Sequence, residues 1–443
     1  MELTSRRAVL RTTGVALAAG LAGCSDGGTG GDGTEPTTDG RRSTPTQASD
    51  DRETTTQVSE QLSADTVRAN CDSPTTLTRP DVVDGATLEA GCYRVNSILD
   101  VTSGTLTLRP GVHILFASEA GFDVKNGATI SAEGAADNPV VLTGAEAGRG
   151  AWMGVRISGS TGNTFENTFV TGGGYNGWTG DQQTEGGVFA DGSDVAVTIE
   201  NSVFRRNHNA GIYADNSNAD LTVRGCAFEN NHRPMWIQAA HVPGLSELSF
   251  SGNDEQAVFI GAANGADQVS ESVTWPDLGV PYRAVRLLNV TGSLEISAGT
   301  TIEFGSDTGL QVLSGGKLTA VGEANDMICF LGSEETPGHW RGISFKETRE
   351  ENKLAHVAVK HGGGRQWHGF DWSAANIFVH GGLTKATLTL GATVIEDSGW
   401  HGISIGRNAE FSCGSPTFAG NQKMNSYSAS RDGPIPDCSG AGG

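Results

Sequence analysis

Two glycine-rich stretches carry the side chains of this chain best suited to hold a sugar. Residues 172–181 read Gly-Gly-Gly-Tyr-Asn-Gly-Trp-Thr-Gly-Asp, and residues 362–372 read Gly-Gly-Gly-Arg-Gln-Trp-His-Gly-Phe-Asp-Trp. Tyr175, Trp178, Trp367 and Trp372 offer aromatic faces, with Asp181, His368 and Asp371 beside them as hydrogen-bonding groups. Stacking plus a few polar contacts is a common way to bind a sugar ring. Each stretch follows a strand-like run, Phe169 to Thr171 or Val357 to Val359, so each is expected as a loop on a rigid support. The bland alternative packs Trp178, Trp367 and Trp372 flat over the flank of that support.

A second constellation is a pair of histidines, His208 and His232, with Asp254 in the next equivalent place. If they stand on adjacent rungs of a stack, the two imidazoles are close enough to share a metal ion. Four arginines, Arg205, Arg206, Arg224 and Arg233, lie in the same region. No third histidine follows, and stacked like residues arise by default in any repeat of this kind.

The elements that must position these groups are repeats. Residues 104–116, GTLTLRPGVHILF, realign with 292–304, GSLEISAGTTIEF, at an offset of 188 that also carries Trp152 onto Trp340 and Gly154 onto Gly342. Inside the first half, Phe204, Asn207 and His208 recur 24 residues later as Phe228, Asn231 and His232, and Phe250 and Asn253 follow after 22 more. Units this short bury an apolar face only by stacking on one another. Val, Ile, Thr and Phe alternate with polar residues, as in Val195 to Ile199 and Thr387 to Leu390, and no convincing helical period competes. The unit is too short for a propeller blade and lacks a leucine ladder. A parallel β-solenoid remains, with Asn207, Asn231 and Asn253 expected to form a turn ladder through their amides. Residues 264–290 break the rhythm and are expected to open the second half with their own entry strand, a long loop being the alternative.

The motifs F-x-N-N-x(3)-G-[IV] and G-x-L-x-[IL]-x-x-G-x-x-[IL]-x-F resemble the right-handed parallel β-helix repeat proteins of the pectate-lyase-like superfamily, over roughly residues 85–415. The resemblance implies an all-β, right-handed parallel β-helix built from two duplicated halves in a single elongated domain. It leaves activity open, because the fold carries lyases, hydrolases, adhesins and binders. Gly399 to Gly406, with His401, resembles the histidine motif of polygalacturonase-type glycosidases, which implies a catalytic role for His401 beside paired acids. That role needs Asp motifs one coil upstream, where this chain has His380-Gly381-Gly382, with Glu396-Asp397 on the coil of His401 itself. A lyase would need three carboxylates on adjacent rungs to hold calcium, and the sequence offers no matched set.

The N-terminus reads as an address. Ser5-Arg6-Arg7 is a twin-arginine pattern, the apolar stretch from Gly14 to Gly23 is too short to span a bilayer, and Leu21-Ala22-Gly23-Cys24 matches a lipobox, making Cys24 the expected lipidation site. Residues 24–66, rich in Gly, Ser, Thr, Asp and Pro, read as a tether unable to fold alone. The remaining expected boundaries are 67–270 for an N-terminal cap and the first half, 271–415 for the second half, and 416–443 for a C-terminal cap.

Without residues 1–23, which hold three Arg and one Glu, 27 basic and 50 acidic side chains remain, a net charge of −23, and only seven of the basic residues are Lys. Such a surface suits strong salt, as in a halophilic archaeon, and disfavours nucleic acid and anionic lipid as partners. It accommodates calcium or another cation more easily. Cys71 with Cys92, and Cys413 with Cys438, lie near in sequence at the two ends, where disulfides would cap exposed strand edges; four free thiols are the alternative. Cys226 and Cys329 sit in apolar strand patterns and read as core. These readings converge on a monomeric, lipid-anchored cell-surface protein that binds extracellular polysaccharide or glycoprotein. A polysaccharide lyase or glycoside hydrolase, and a structural envelope or adhesion protein, are the alternatives.

Overall fold

The computed structural model describes residues 64–438 apart from 179–185, 193, 217–218, 263 and 349. Short strands wind into a coil with three faces. Every strand-to-strand ladder between named strands is parallel, and one face is a single sheet of 13 strands running the length of the coil. The other two faces are each divided, one into sheets of seven and seven strands, the other into sheets of eight and six. We call the continuous face I; the chain then visits II and III before returning to I. Thirteen rungs at about 4.8 Å make face I roughly 60 Å long.

Period-two alternation sends every second side chain inward, and the parallel register then places like on like. Phe204, Phe228 and Phe250 stack inside with centroids 5.3 and 5.6 Å apart. The asparagine ladder forms as the spacing predicts. Asn207 donates its amide to Asn231 Oδ1 (2.9 Å), Asn231 does the same to Asn253 (3.0 Å), and each Oδ1 also accepts the backbone N–H of the residue above. The corner before each of these residues turns through one left-handed position, filled by Arg206, Asn230 and Gly252 at φ 52°, 54° and 62°. Asn and Gly tolerate that conformation best, which is why they recur at the corners.

Residues 264–290 are ordinary coil. They supply the strands Asp267–Val269, Ser272–Trp275 and Tyr282–Ala284, and face I runs through them without a break, so the two halves form one continuous solenoid. The second copy is turned by one face relative to the first. Val140–Gly144 lies on face III, but its repeat partner Ile328–Gly332 lies on face I; Gly154–Ile157 lies on face I, but Ile343–Lys346 lies on face II. An offset of seven full coils plus one strand produces this rotation.

Two boundaries shift. A short helix, Ala64–Asn70, begins inside the stretch expected to be tether and lays Val67 over Leu115, Val141 and Phe169 on the outside of face III. At the other end the rungs continue beyond 415 through Thr417–Ala419 and Ser426–Ser428. Disulfides Cys71–Cys92 and Cys413–Cys438 close the two ends, each worth on the order of 3 kcal/mol for loops of this length. Cys226 lies in the central core, whereas Cys329 is buried on the outer side of its strand among Met327, Leu331 and Ala358.

Candidate functional site

The duplicated tryptophans show how closely the two halves copy each other. Trp152 stacks on Phe116 at 4.2 Å and donates its indole N–H to the Thr171 carbonyl (2.9 Å); Trp340 stacks on Phe304 at 4.2 Å and donates to the Lys360 carbonyl (2.7 Å). Each pair supports the corner from which a glycine-rich loop departs. Because of the one-face rotation, the first loop leaves the III/I corner and the second leaves the I/II corner, so the two face different directions.

At the second corner lies a cleft of about 580 Å³, lined by four successive turns. Its glycines are forced by close backbone approach: a Cβ on Gly364 would sit 1.9 Å from the Gly338 carbonyl oxygen, and one on Gly399 would sit 2.7 Å from the Gly338 Cα. Above them stand Arg365, Gln366, Asp371, Trp400 and Gln422. Gln366 donates to the Asp371 carboxylate, and the Lys423 ammonium sits 4.6 Å over the Trp400 ring. Ser373, fully buried, shapes the loop: its hydroxyl accepts from the Trp367 N–H (3.0 Å) and donates to the Phe370 carbonyl (2.6 Å).

The first corner carries different side chains at the same stations. Pro337 corresponds to Arg149 by the 188-residue offset. Gly399 and Gln422, which follow the ladder residues Ser398 and Asn421, correspond to His208 and His232, which follow Asn207 and Asn231. Arg149 spans this corner, donating to Asp254 Oδ1 (3.0 Å) and to the Asn230 carbonyl (2.6 Å). The duplication has not produced two like sites.

The sequence-selected residues therefore separate. Of the expected ligand-binding set, Asp371 lines the cleft; Trp367 and Trp178 do not. Trp367 lies against Gly309 and Trp178 against Gly121, the repeat equivalents of each other, with both indole nitrogens buried and unpaired. Trp178 covers the outward rings of Phe189 and Tyr213, and Trp372 packs beside Phe370, Phe378 and His380. The flank-packing alternative thus describes these three rings. His368 joins the same outer cluster, where burial, reinforced by Lys346 and His380, pushes its imidazole down to about 4. Tyr175 is half-buried at the first corner, its N–H bonded to the Trp152 carbonyl. Asp181 and Cys24 lie outside the described residues.

Among the described residues, neither His208 nor His232 falls in a group of three ligand-type side chains in mutual reach. His232 takes Asp254 (3.2 Å) and Glu255 (3.3 Å) instead, and Asp254 is shared with Arg149, which holds its carboxyl below the usual range. Among the described residues, the one set of three ligand-type groups in mutual reach is Cys71, Cys92 and His113.

His401 is buried, stacks on Tyr427 at 4.6 Å, and accepts the Met424 N–H at Nδ1 (3.3 Å); burial lowers its basicity. The neighbouring Glu396 is paired with Lys360 (3.2 Å). The acid pair that a glycosidase histidine would serve is not assembled around it by any described contact. What the sequence reading missed is the adjacent Trp400, together with Arg365 and Gln422. Trp400 sits in the very string that singled out His401, but its half-buried place at the cleft follows from the close approach of Gly338 to Gly399.

Residues 186–269 match the family model of the right handed beta helix region, and residues 81–177 match that of the pectate-lyase like beta helix domain. No curated protein and no solved structure matches the chain. With its all-parallel three-faced coil, the chain folds as a right-handed parallel β-helix. Both matched stretches lie in the first half, and the cleft lies in the second.

Proposed function

We propose that this is an exported, lipid-anchored cell-surface protein that holds extracellular polysaccharide, or the glycan of a glycoprotein, in the cleft at the second corner. The observation that carries the reading is the placing of Trp400 with Gln366 and Gln422 around a cleft of about 580 Å³. An aromatic edge flanked by amides suits a sugar chain, and four turns at about 4.8 Å spacing extend some 14 Å along the axis, room for a short run of rings. The twin-arginine and lipobox pattern up to Cys24 supports delivery to the outer membrane face.

Binding without cleavage is favoured by the carboxylate count. Asp371 is the single described carboxylate lining the cleft, and it is engaged by Gln366; glycoside hydrolysis ordinarily needs two, about 5 to 9.5 Å apart. The test is a polysaccharide array in high salt, scored for retention and for release of reducing or unsaturated ends. Retention that disappears in Trp400→Ala, with no product, supports the reading. Product formation would replace it with the enzyme, and the absence of both signals would leave an envelope protein.

A further inference from the structure

We infer that the N-terminal cap contains a second closure hidden in its disulfide: in the reduced chain, Cys71, Cys92 and His113 form a site for a zinc-type divalent ion. The Sγ atoms of both cysteines and a ring nitrogen of His113 all lie within 4.8 Å of one another. Their positions come from three separate pieces of chain. Cys71 directly follows the helix Ala64–Asn70, and Cys92 and His113 face each other across the parallel ladder between Gly91–Val95 and Val112–Phe116. The ladder fixes the Cys92–His113 pairing, and Val67 and Arg68 fix the helix: Val67 is buried against face III, and Arg68 donates to Thr143 Oγ1 (3.0 Å) and to the Gly144 carbonyl (3.3 Å).

Two thiolates and one imidazole on a rigid frame are a common zinc donor set, with water free to complete a tetrahedron. The second half underlines the point. The repeat partners of Cys92 and His113 are Val280 and Thr301, so the histidine accompanies the cysteines and is not a general feature of that station.

The exchange balances. A dithiol or phosphine reductant gives up two electrons, the S–S bond breaks, and two protons yield the two thiols. Metal entry then releases both protons as the thiolates coordinate. Exchange with a small-molecule disulfide, which takes up the two electrons and is reduced to its thiols, re-forms the S–S bond and expels the ion. The cap would thus stay closed in either compartment, by metal where thiols are kept reduced and by the disulfide outside.

The test uses the full chain, reduced with a phosphine under anaerobic conditions and titrated with Co²⁺ and then Zn²⁺. One equivalent of Co²⁺ should give a thiolate-to-cobalt charge-transfer band that Zn²⁺ displaces, and the oxidised chain should give none. His113→Phe should weaken binding at least about tenfold, and Cys92→Ser should abolish the band, while Cys413→Ser keeps it. Circular dichroism on each sample reports whether the chain remains folded. A folded, reduced chain with no charge-transfer band overturns the inference, as does a band that survives both Cys92→Ser and His113→Phe.

Discussion

Arg149 and Asp254, 105 residues apart in the chain, meet across the III/I corner with Nη2 3.0 Å from Oδ1. The equivalent corner of the second half begins from Pro337 and passes over Gly399, and there the cleft is open. The exchange of a long cation for a ring without a side-chain donor, and of the imidazoles of His208 and His232 for Gly399 and the Gln422 amide, distinguishes a strapped corner from an open one. The strap is partly exposed, so its value lies more in occupying space than in stability.

Pro337→Arg should therefore reduce glycan retention severalfold while changing stability by no more than about 1 kcal/mol, because the new side chain enters solvent-accessible space. Array retention and guanidinium unfolding of the same sample measure both. Full retention in a folded Pro337→Arg chain would show that the ligand does not use the corner.

Asn231 is completely buried and serves two neighbours at once, accepting from Asn207 and donating to Asn253. Asn231→Ala removes the acceptor of the Asn207 backbone N–H and leaves it buried. A loss of roughly 2 to 4 kcal/mol is expected from stranded donors plus the cavity, read from the denaturant midpoint. An effect below 1 kcal/mol would mean that water or a shifted corner satisfies the ladder.

Asp267 opens the second half, where burial pushes its carboxyl up to about 6 despite N–H donors from Ala239 (3.2 Å) and Gln268 (2.8 Å). Its folded value lies above its unfolded one, so the unfolded chain loses this proton first as pH rises. The contribution to stability is complete below about pH 4, declines through the interval to 6, and is gone above it, a change of up to roughly 3 kcal/mol. Asp267→Asn should flatten that segment of the stability–pH curve. An unchanged slope between pH 4 and 6 would place the titration elsewhere.

The fold was legible in the sequence because a solenoid writes each structural constraint once per turn. Phe204, Phe228 and Phe250 and the adjacent asparagines appear at coil spacing since the same pocket recurs at coil spacing. The pairing at the two ends was legible for a different reason, each cysteine pair being near in sequence at one end of the coil. The one-face rotation was not, since an offset of 188 reveals its extra strand only when the coil borders are known. Nor could the sequence distinguish Trp367 from Trp400. The first is committed to the flank by a contact with Gly309, the second is left at the cleft by the approach of Gly338 to Gly399, and both contacts join distant parts of the chain.

Cys226 is a free thiol, fully enclosed, and burial pushes it up to about 12. It should resist alkylation in the native chain and react only at the rate of global opening, since the thiolate is the nucleophile. Peptide mapping after native and denatured labelling distinguishes the cases, and rapid native labelling would mean that the coil opens locally near Arg224.

Trp400 and Trp367 provide the sharpest division between binding and packing. Trp367 is buried to 8% exposure and fills space against Gly309. Truncating it to Ala should cost about 3 to 5 kcal/mol in stability and disturb the loop that carries Gln366 and Asp371. Trp400 borders the cleft, its backbone N–H donating to Ser398 Oγ (3.3 Å), its carbonyl accepting the Lys423 N–H (2.8 Å), and the Lys423 ammonium lying over its ring. Trp400→Ala should lower stability by a much smaller amount yet remove most glycan retention, and Trp400→Phe should restore part of it by keeping an aromatic face. If Trp367→Ala abolishes retention while Trp400→Ala leaves it intact in folded protein, the ligand lies over the flank, on the ring cluster of Trp372 and Phe370, and not in the cleft.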